Sequence, residues 1–227
     1  TDFGGNTILN NGIVTSTADQ TLGDELILGA NTQLTSTANG NVRIDGNISA
    51  ASNQTLTVAV GAGDITLMQT VGSDTARLGD TQLNSTSNTT LNGALYANSL
   101  STDFGGNTIL NNGIVTTTAD QTIGDELILG ANTQLTTTAN GNVRIDGNIS
   151  AAANQTLAVS TGSGDITLMQ TVGSDTARLG DTQLISTSNT TLNGALYANS
   201  LSTDFGGNTI LNNGIVTSTA DQTLGDE

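Results

Sequence analysis

TDFGGNTILNNGIVTSTADQTLGDE, residues 1–25, returns letter for letter at residues 203–227. Between them, at 102–126, stands a near copy with Thr117 for Ser16 and Ile123 for Leu22. The chain maps onto itself after a shift of 101 residues, and residues 1–101 and 102–202 differ at only nine positions. Most exchanges are among Ser, Thr and Ala, as in Ser36/Thr137, Ser52/Ala153, Thr57/Ala158 and Ala59/Ser160. Three units follow: a first repeat over 1–101, a second over 102–202, and the start of a third over 203–227. Repeat arrays ordinarily end in atypical capping units. None stands at either end, so the sequence reads as a segment of a longer repetitive chain.

A period near one hundred residues suits two architectures. One is a string of immunoglobulin-like sandwiches of ~100 residues each. The other is a continuous β-solenoid with several coils per period. Sandwich cores lean on aromatic side chains, yet each full repeat holds one Phe and one Tyr, and the chain has no Pro. A solenoid needs neither, because each rung adds to the last at ~4.8 Å and Pro would interrupt the ladder. The expected fold is therefore all-β, a right-handed parallel β-helix with about five rungs per repeat.

Five segments divide the repeat: 6–24, 25–40, 41–63, 64–88 and 89–106. Their mean length near 20 suits a rung of three short strands and three turns. The strands alternate apolar and polar residues with the period of two that marks a half-buried strand. Val42 and Ile44 oppose Arg43 and Asp45, Ile65 and Leu67 oppose Asp64 and Thr66, and Leu56 and Val58 oppose Thr57 and Ala59. Thr57 and Ala59 change in the second copy while Leu157 and Val159 keep the apolar pair, which puts 56 and 58 in the core. Val60 becomes Thr161, which places the strand's end before it. Asn84 becomes Ile185, which points outward. The core is expected to be Leu, Ile and Val with small residues at corners. Asn10, Asn11, Asn31, Asn39, Asn47 and Asn53 mark turns, where Asn tolerates left-handed backbone and stacks in ladders.

Composition narrows the function. Four Arg face 20 acids for a net charge of −16, with no His, Cys, Lys or Trp. Phosphate binding needs a basic surface, so nucleic acid is not an expected partner. No apolar run approaches the ~20 residues of a membrane-spanning helix. The usual catalytic bases and nucleophiles are missing, leaving carboxylates and hydroxyls. Arg43, Asp45, Asp74, Arg77 and Asp80 could be recruited to the Asp/Arg chemistry of β-helix lyases. Each recurs one repeat later, as Arg144, Asp146, Asp175, Arg178 and Asp181, whereas an active site is normally built once. Arg43 and Asp45 lie two apart on one strand face and are expected to pair. No catalytic, cofactor or metal residues are assigned.

Calcium is the one cofactor weighed, because Asp19, Asp24, Glu25, Asp64 and Asp74 fall at turns and hard cations take oxygen ligands. No EF-hand loop or GGxGxD nonapeptide accompanies them, and turn chemistry accounts for the Gly-Asp pairs. Glycosylation triplets begin at Asn47, Asn53, Asn84 and Asn88, as an Asn- and Thr-rich chain produces by chance. Thr-rich strands suggest ice-binding solenoids, but unequal rungs give no regular grid. Phe3 and Tyr96 are expected to pack at corners.

Residues 32–48 (TQLTSTANGNVRIDGNI), 53–58 (NQTLTV), 61–73 (GAGDITLMQTVGS) and 89–113 (TTLNGALYANSLSTDFGGNTILNNG) resemble the repeats of filamentous-haemagglutinin-like proteins. The resemblance covers the chain. It implies a right-handed parallel β-helix shaft, export to the bacterial cell surface, and a role as adhesin, sheath or fibre. That family's Asn-Pro-Asn-Gly secretion motif is absent from these residues. The expectation is a non-enzymatic, extracellular structural shaft that contacts other copies of itself. The alternatives are repeats that bind glycans or host cells directly, and a string of sandwiches.

Overall fold

A computed structural model of the chain, describing residues 1–225, is a parallel β-solenoid of about 10 turns of about 21 residues. Every strand pairing is parallel, which excludes antiparallel immunoglobulin-like sandwiches. The coil has three faces. On the first, Leu26 pairs with Ile48, Ile48 with Val71, Val71 with Leu95, Leu95 with Val115, Val115 with Leu135 and Leu135 with Val159. The differences between partners show turns of 20 to 24 residues. Along this column the inward positions stay in register and the extra residues go into corners, while the neighbouring ladder takes one up as a bulge, where Asn84 meets Ala59 and Ser85 meets Gly61.

Strands are short, commonly three to five residues, because each face turns a corner as soon as its side chains have met the core. The alternation is as the sequence dictates. Val42 and Ile44 are buried around exposed Arg43, Ile65 and Leu67 around Thr66, and Leu56 and Val58 around Thr57. A single aliphatic column of Leu, Ile and Val runs through both full repeats. Ile185 points outward and is half-buried, as expected.

Two expectations need correction. Val60 does not follow the strand's end: the strand is Leu56–Gly61, and Val60 is fully buried. Thr161 occupies the same inward place because its hydroxyl donates to the Gly164 carbonyl at 2.5 Å. Phe3 does not pack at a corner either. It stands at a corner but projects into solvent, as do Phe104 and Phe205, with Phe104 81% exposed. The core is also less purely aliphatic than expected, since Thr, Ser, Gln121 and Asp125 fill inward positions.

The rung count is near five per repeat, and the fraction matters. Twelve strands run from Asn6–Leu9 to Leu95–Thr102 before the second copy opens at Asn107–Leu110. The bridge at Val71 adds a strand position, and Leu95–Thr102 bends across two faces, pairing through Leu95 on one and Leu100 on the next. Fourteen positions on three faces make 4⅔ turns. Ile48 accordingly lies in the column of Val71, Leu95 and Val115, whereas its copy Ile149 lies in that of Leu127, Thr108 and Thr89. Each repeat is thus turned by one face relative to the last, and advances about 22 Å at the usual strand spacing.

Candidate functional surface

Corners carry most of the polar chemistry, because a solenoid corner must satisfy backbone groups that the flat ladders leave over. Asn side chains do this repeatedly. The Oδ1 atoms of Asn31, Asn41 and Asn47 accept the N–H groups of Thr55, Asp64 and Thr70 one turn later, at 2.8–3.2 Å. Asn39 adopts φ 61°, the left-handed conformation expected of a turn Asn, and its Oδ1 accepts the Ala62 N–H. Asn107 donates to Asn88 and Asn111 to Asn92, forming short ladders along the axis across the junction between repeats.

Carboxylates are drawn into the same work. Asp64 accepts from Ser87 Oγ at 2.6 Å and the Asn88 N–H at 3.0 Å, and those bonds hold its carboxyl below the ordinary value. Asp80 is lowered likewise by Asn98 and Ser99, each at 2.7 Å. The second copy repeats both arrangements at Asp165 and Asp181. Asp103 is raised by burial, which outweighs the Ser85 N–H it accepts. Asp125 is pushed up to about 6, chiefly by burial.

The residues singled out for Asp/Arg chemistry do not converge. Arg43 pairs with Asp45 at 2.6 Å and Arg144 with Asp146 at 2.5 Å, both across one strand end. Arg77 pairs with Asp74 at 2.7 Å and also donates to Thr118 and Thr138, strapping its loop over later turns. Asp80 is engaged separately by Asn98 and Ser99. Exposed pairs of this kind contribute under ~1 kcal/mol each. Tyr96 lies half-buried on an outward strand position, and its copy Tyr197 sits under the Arg178 guanidinium at 5.7 Å. Among the described residues, no group of three or more acids gathers as metal ligands would. Of the acids weighed for calcium, Asp19 and Asp64 lie two turns apart on one edge with Asn41 between them, and Asp24 faces inward.

A shallow groove of about 280 Å³ lies along one face of the first turns, lined by Asn11, Ile13, Asn31, Gln33, Thr55 and Thr57. The other surface feature is the DFGG turn, which thrusts Phe3, Phe104 and Phe205 outward, each more than four-fifths exposed. Phe3 is expected to pack at a corner because aromatic side chains are usually largely buried. The signal that these rings are not was available: Phe104 sits between Asp103 and two glycines, with no apolar neighbour at strand spacing.

Compared with known proteins, the chain matches no family model, no curated protein and no solved structure. No helix among the described residues is long and apolar enough to cross a membrane.

Proposed function

We propose that the chain is a structural shaft: a stretch of a long bacterial cell-surface or extracellular fibre, holding other parts of the molecule away from the cell or building a sheath. The observation that carries this reading is the junction between repeats. Asn88–Leu91 of the first copy pairs with Asn107–Leu110 of the second in full register, and Leu100 and Ser101 pair with Gln121 and Thr122. The ladder crosses the boundary with no linker and no break in the buried column. Such a rod resists bending because every turn is held above and below by parallel hydrogen bonds. The high negative charge keeps neighbouring rods apart in solution. The resemblance to filamentous-haemagglutinin-like repeats supports the surface location and the link to adhesion or sheath formation.

Electron microscopy of chains with two, four and eight repeats tests it. Rods of constant width that lengthen by about 22 Å per added repeat are expected. Jointed particles with hinges every repeat would defeat the shaft reading.

The exposed Phe turns favour a second reading, in which the repeats themselves bind glycans or a partner cell. An exposed ring flanked by acids and amides offers an apolar face with hydrogen-bonding groups beside it. A glycan array probed with the native chain and with a Phe3→Ala/Phe104→Ala/Phe205→Ala variant separates the two. Binding lost in the variant supports direct adhesion, and no binding by a native chain that still forms rods leaves the shaft alone.

A further inference from the structure

The corner at Gly124 and Asp125 joins the strands Gln121–Ile123 and Glu126–Leu129. Ile123 and Leu127 both point into the core, and the same alternation sends Asp125 inward between them. A carboxylate is thereby placed where the column is otherwise aliphatic, with 4% of its surface left exposed. Its Oδ1 accepts from Thr108 Oγ1 at 2.7 Å and Thr102 Oγ1 at 3.1 Å. Its Oδ2 has no hydrogen-bond partner among the described residues. In the first copy the corresponding threonines reach Asp24 differently, Thr1 on Oδ1 at 3.4 Å and Thr7 on Oδ2 at 3.3 Å.

We propose that this buried carboxyl is a proton-operated lock, taking a proton from water in mildly acidic surroundings and so tightening the coil where the second repeat begins. The inference rests on the fold and not on the shaft role. The charged groups around Asp125 leave it without a counter-ion. Asp103, in the turn below, is of like sign and couples unfavourably to it. Glu126 follows on the outer side, where its carboxylate takes the Ser150 hydroxyl at 2.6 Å. The turn above carries Asp146, already paired with Arg144. A charge in that seat is desolvated and half-satisfied, whereas a neutral carboxyl costs far less to bury.

Burial raises Asp125 from its ordinary 3.8 to about 6, so the folded coil holds its proton roughly a hundredfold more tightly than the unfolded chain. The stabilisation is complete below pH 3.8 and is lost as pH rises through about 6. The lowered acids Asp64, Asp80, Asp165 and Asp181 act in the opposite sense, since their contribution is present above 3.8 and fades below it. The two trends together put maximum stability between about pH 4 and 6.

Urea unfolding followed by far-ultraviolet circular dichroism at pH 4.5, 5.5, 6.5 and 7.5 tests the lock. The native midpoint is expected to rise as pH falls, with a gain of about 25-fold in the folding equilibrium from this site between pH 7.5 and 4.5. Asp125→Asn is expected to flatten that slope and to exceed the native midpoint at pH 7.5. Asp175→Asn, which removes an exposed charge, is expected to keep the slope. An unchanged slope in Asp125→Asn would mean that general charge repulsion is responsible, and the lock would be rejected. Carboxyl carbon NMR of the native chain decides the matter even if the variant does not fold. Titration of Asp125 near pH 6 supports the lock, and titration near pH 4 overturns it.

Discussion

Replacing Gly106 with Ala tests whether the turns stack as tightly as the fold requires. Gly106 has φ 80°, and a methyl group built there lies 1.5 Å from the carbonyl oxygen of Ser87 in the turn below. Reaching even a tight 3 Å contact means lifting this corner by about 1.5 Å against a rung spacing of ~4.8 Å. That motion takes the Asn107 N–H off the Ser87 oxygen, now at 3.1 Å, and strains the Asn107–Asn88 side-chain bond, also 3.1 Å. Each lost hydrogen bond costs about 1 kcal/mol, and a non-glycine residue in the left-handed region adds about 1–2 kcal/mol. The expected loss is about 3–4 kcal/mol. Gly4→Ala is the control: nothing lies within 4 Å of its added methyl, and the change is expected to stay within about 0.5 kcal/mol. Equilibrium unfolding gives the energies, and amide hydrogen exchange at Asn107 reports the local opening. A Gly106→Ala chain as stable as native, with Asn107 still protected, would show that adjacent turns are not packed at this corner as described.

Other outcomes follow from the same geometry. Leu135 is fully buried between Val115 and Val159 in the first face's column, so Leu135→Ala is expected to cost about 2–5 kcal/mol in thermal or urea unfolding. Thr161→Val exchanges one hydroxyl-to-carbonyl bond for a buried methyl, and the two effects offset to within about 1 kcal/mol, as a melting comparison with native chain will show. Asp64→Asn is expected to destabilise the chain at pH 5–7, with the gap to native closing as pH falls below 3.8, because the lowered carboxyl loses its advantage once protonated. Unfolding curves taken at pH 6 and pH 2.5 check the narrowing.

Much of the coil was legible because burial in a solenoid obeys a single parity. Leu56, Val58, Ile65 and Leu67 declare their inward positions by alternating with Thr57, Ala59 and Thr66, and the structure agrees at each. Polar residues at inward parity were the blind spot. Thr161, Gln121 and Asp125 are all buried, whereas Val60-to-Thr161 reads as lying past a strand's end and Asp24, the counterpart of Asp125, as a turn residue. Gln121 succeeds there because its amide donates to Thr117 Oγ1, four residues earlier, and to the Thr136 carbonyl in the next turn. Extending the parity of Ile123 and Leu127 through Asp125 would have located the buried acid without a structure. The segment 25–40 falls short of a full turn for the opposite reason. The TANG turn looks like the end of a rung, but Val42–Ile44 is still the third face of the same turn, which closes only when Leu26 meets Ile48.

The fraction in 4⅔ turns has a consequence that no single repeat reveals. If a repeat filled a whole number of turns, each face could keep its own sequence and its own width, and the cross-section could be flattened without penalty. Here the residues that build the first face in one copy build another face in the next, as Ile48 and Ile149 do. A junction of unequal faces would shift the register of every ladder passing through it. The pairing instead runs unbroken from Thr89 to Thr108 to Leu127 and from Leu95 to Val115 to Leu135. Near-identical sequence copies can follow one another only if the three faces are close to interchangeable, which holds the coil near a three-fold prism. The same rotation carries Phe3, Phe104 and Phe205 around the axis by one face per repeat, so the exposed ring returns to a given side only after three repeats, about 67 Å along the rod. A flat partner laid against one side would meet one ring in three, whereas a partner that winds around the shaft would meet them all.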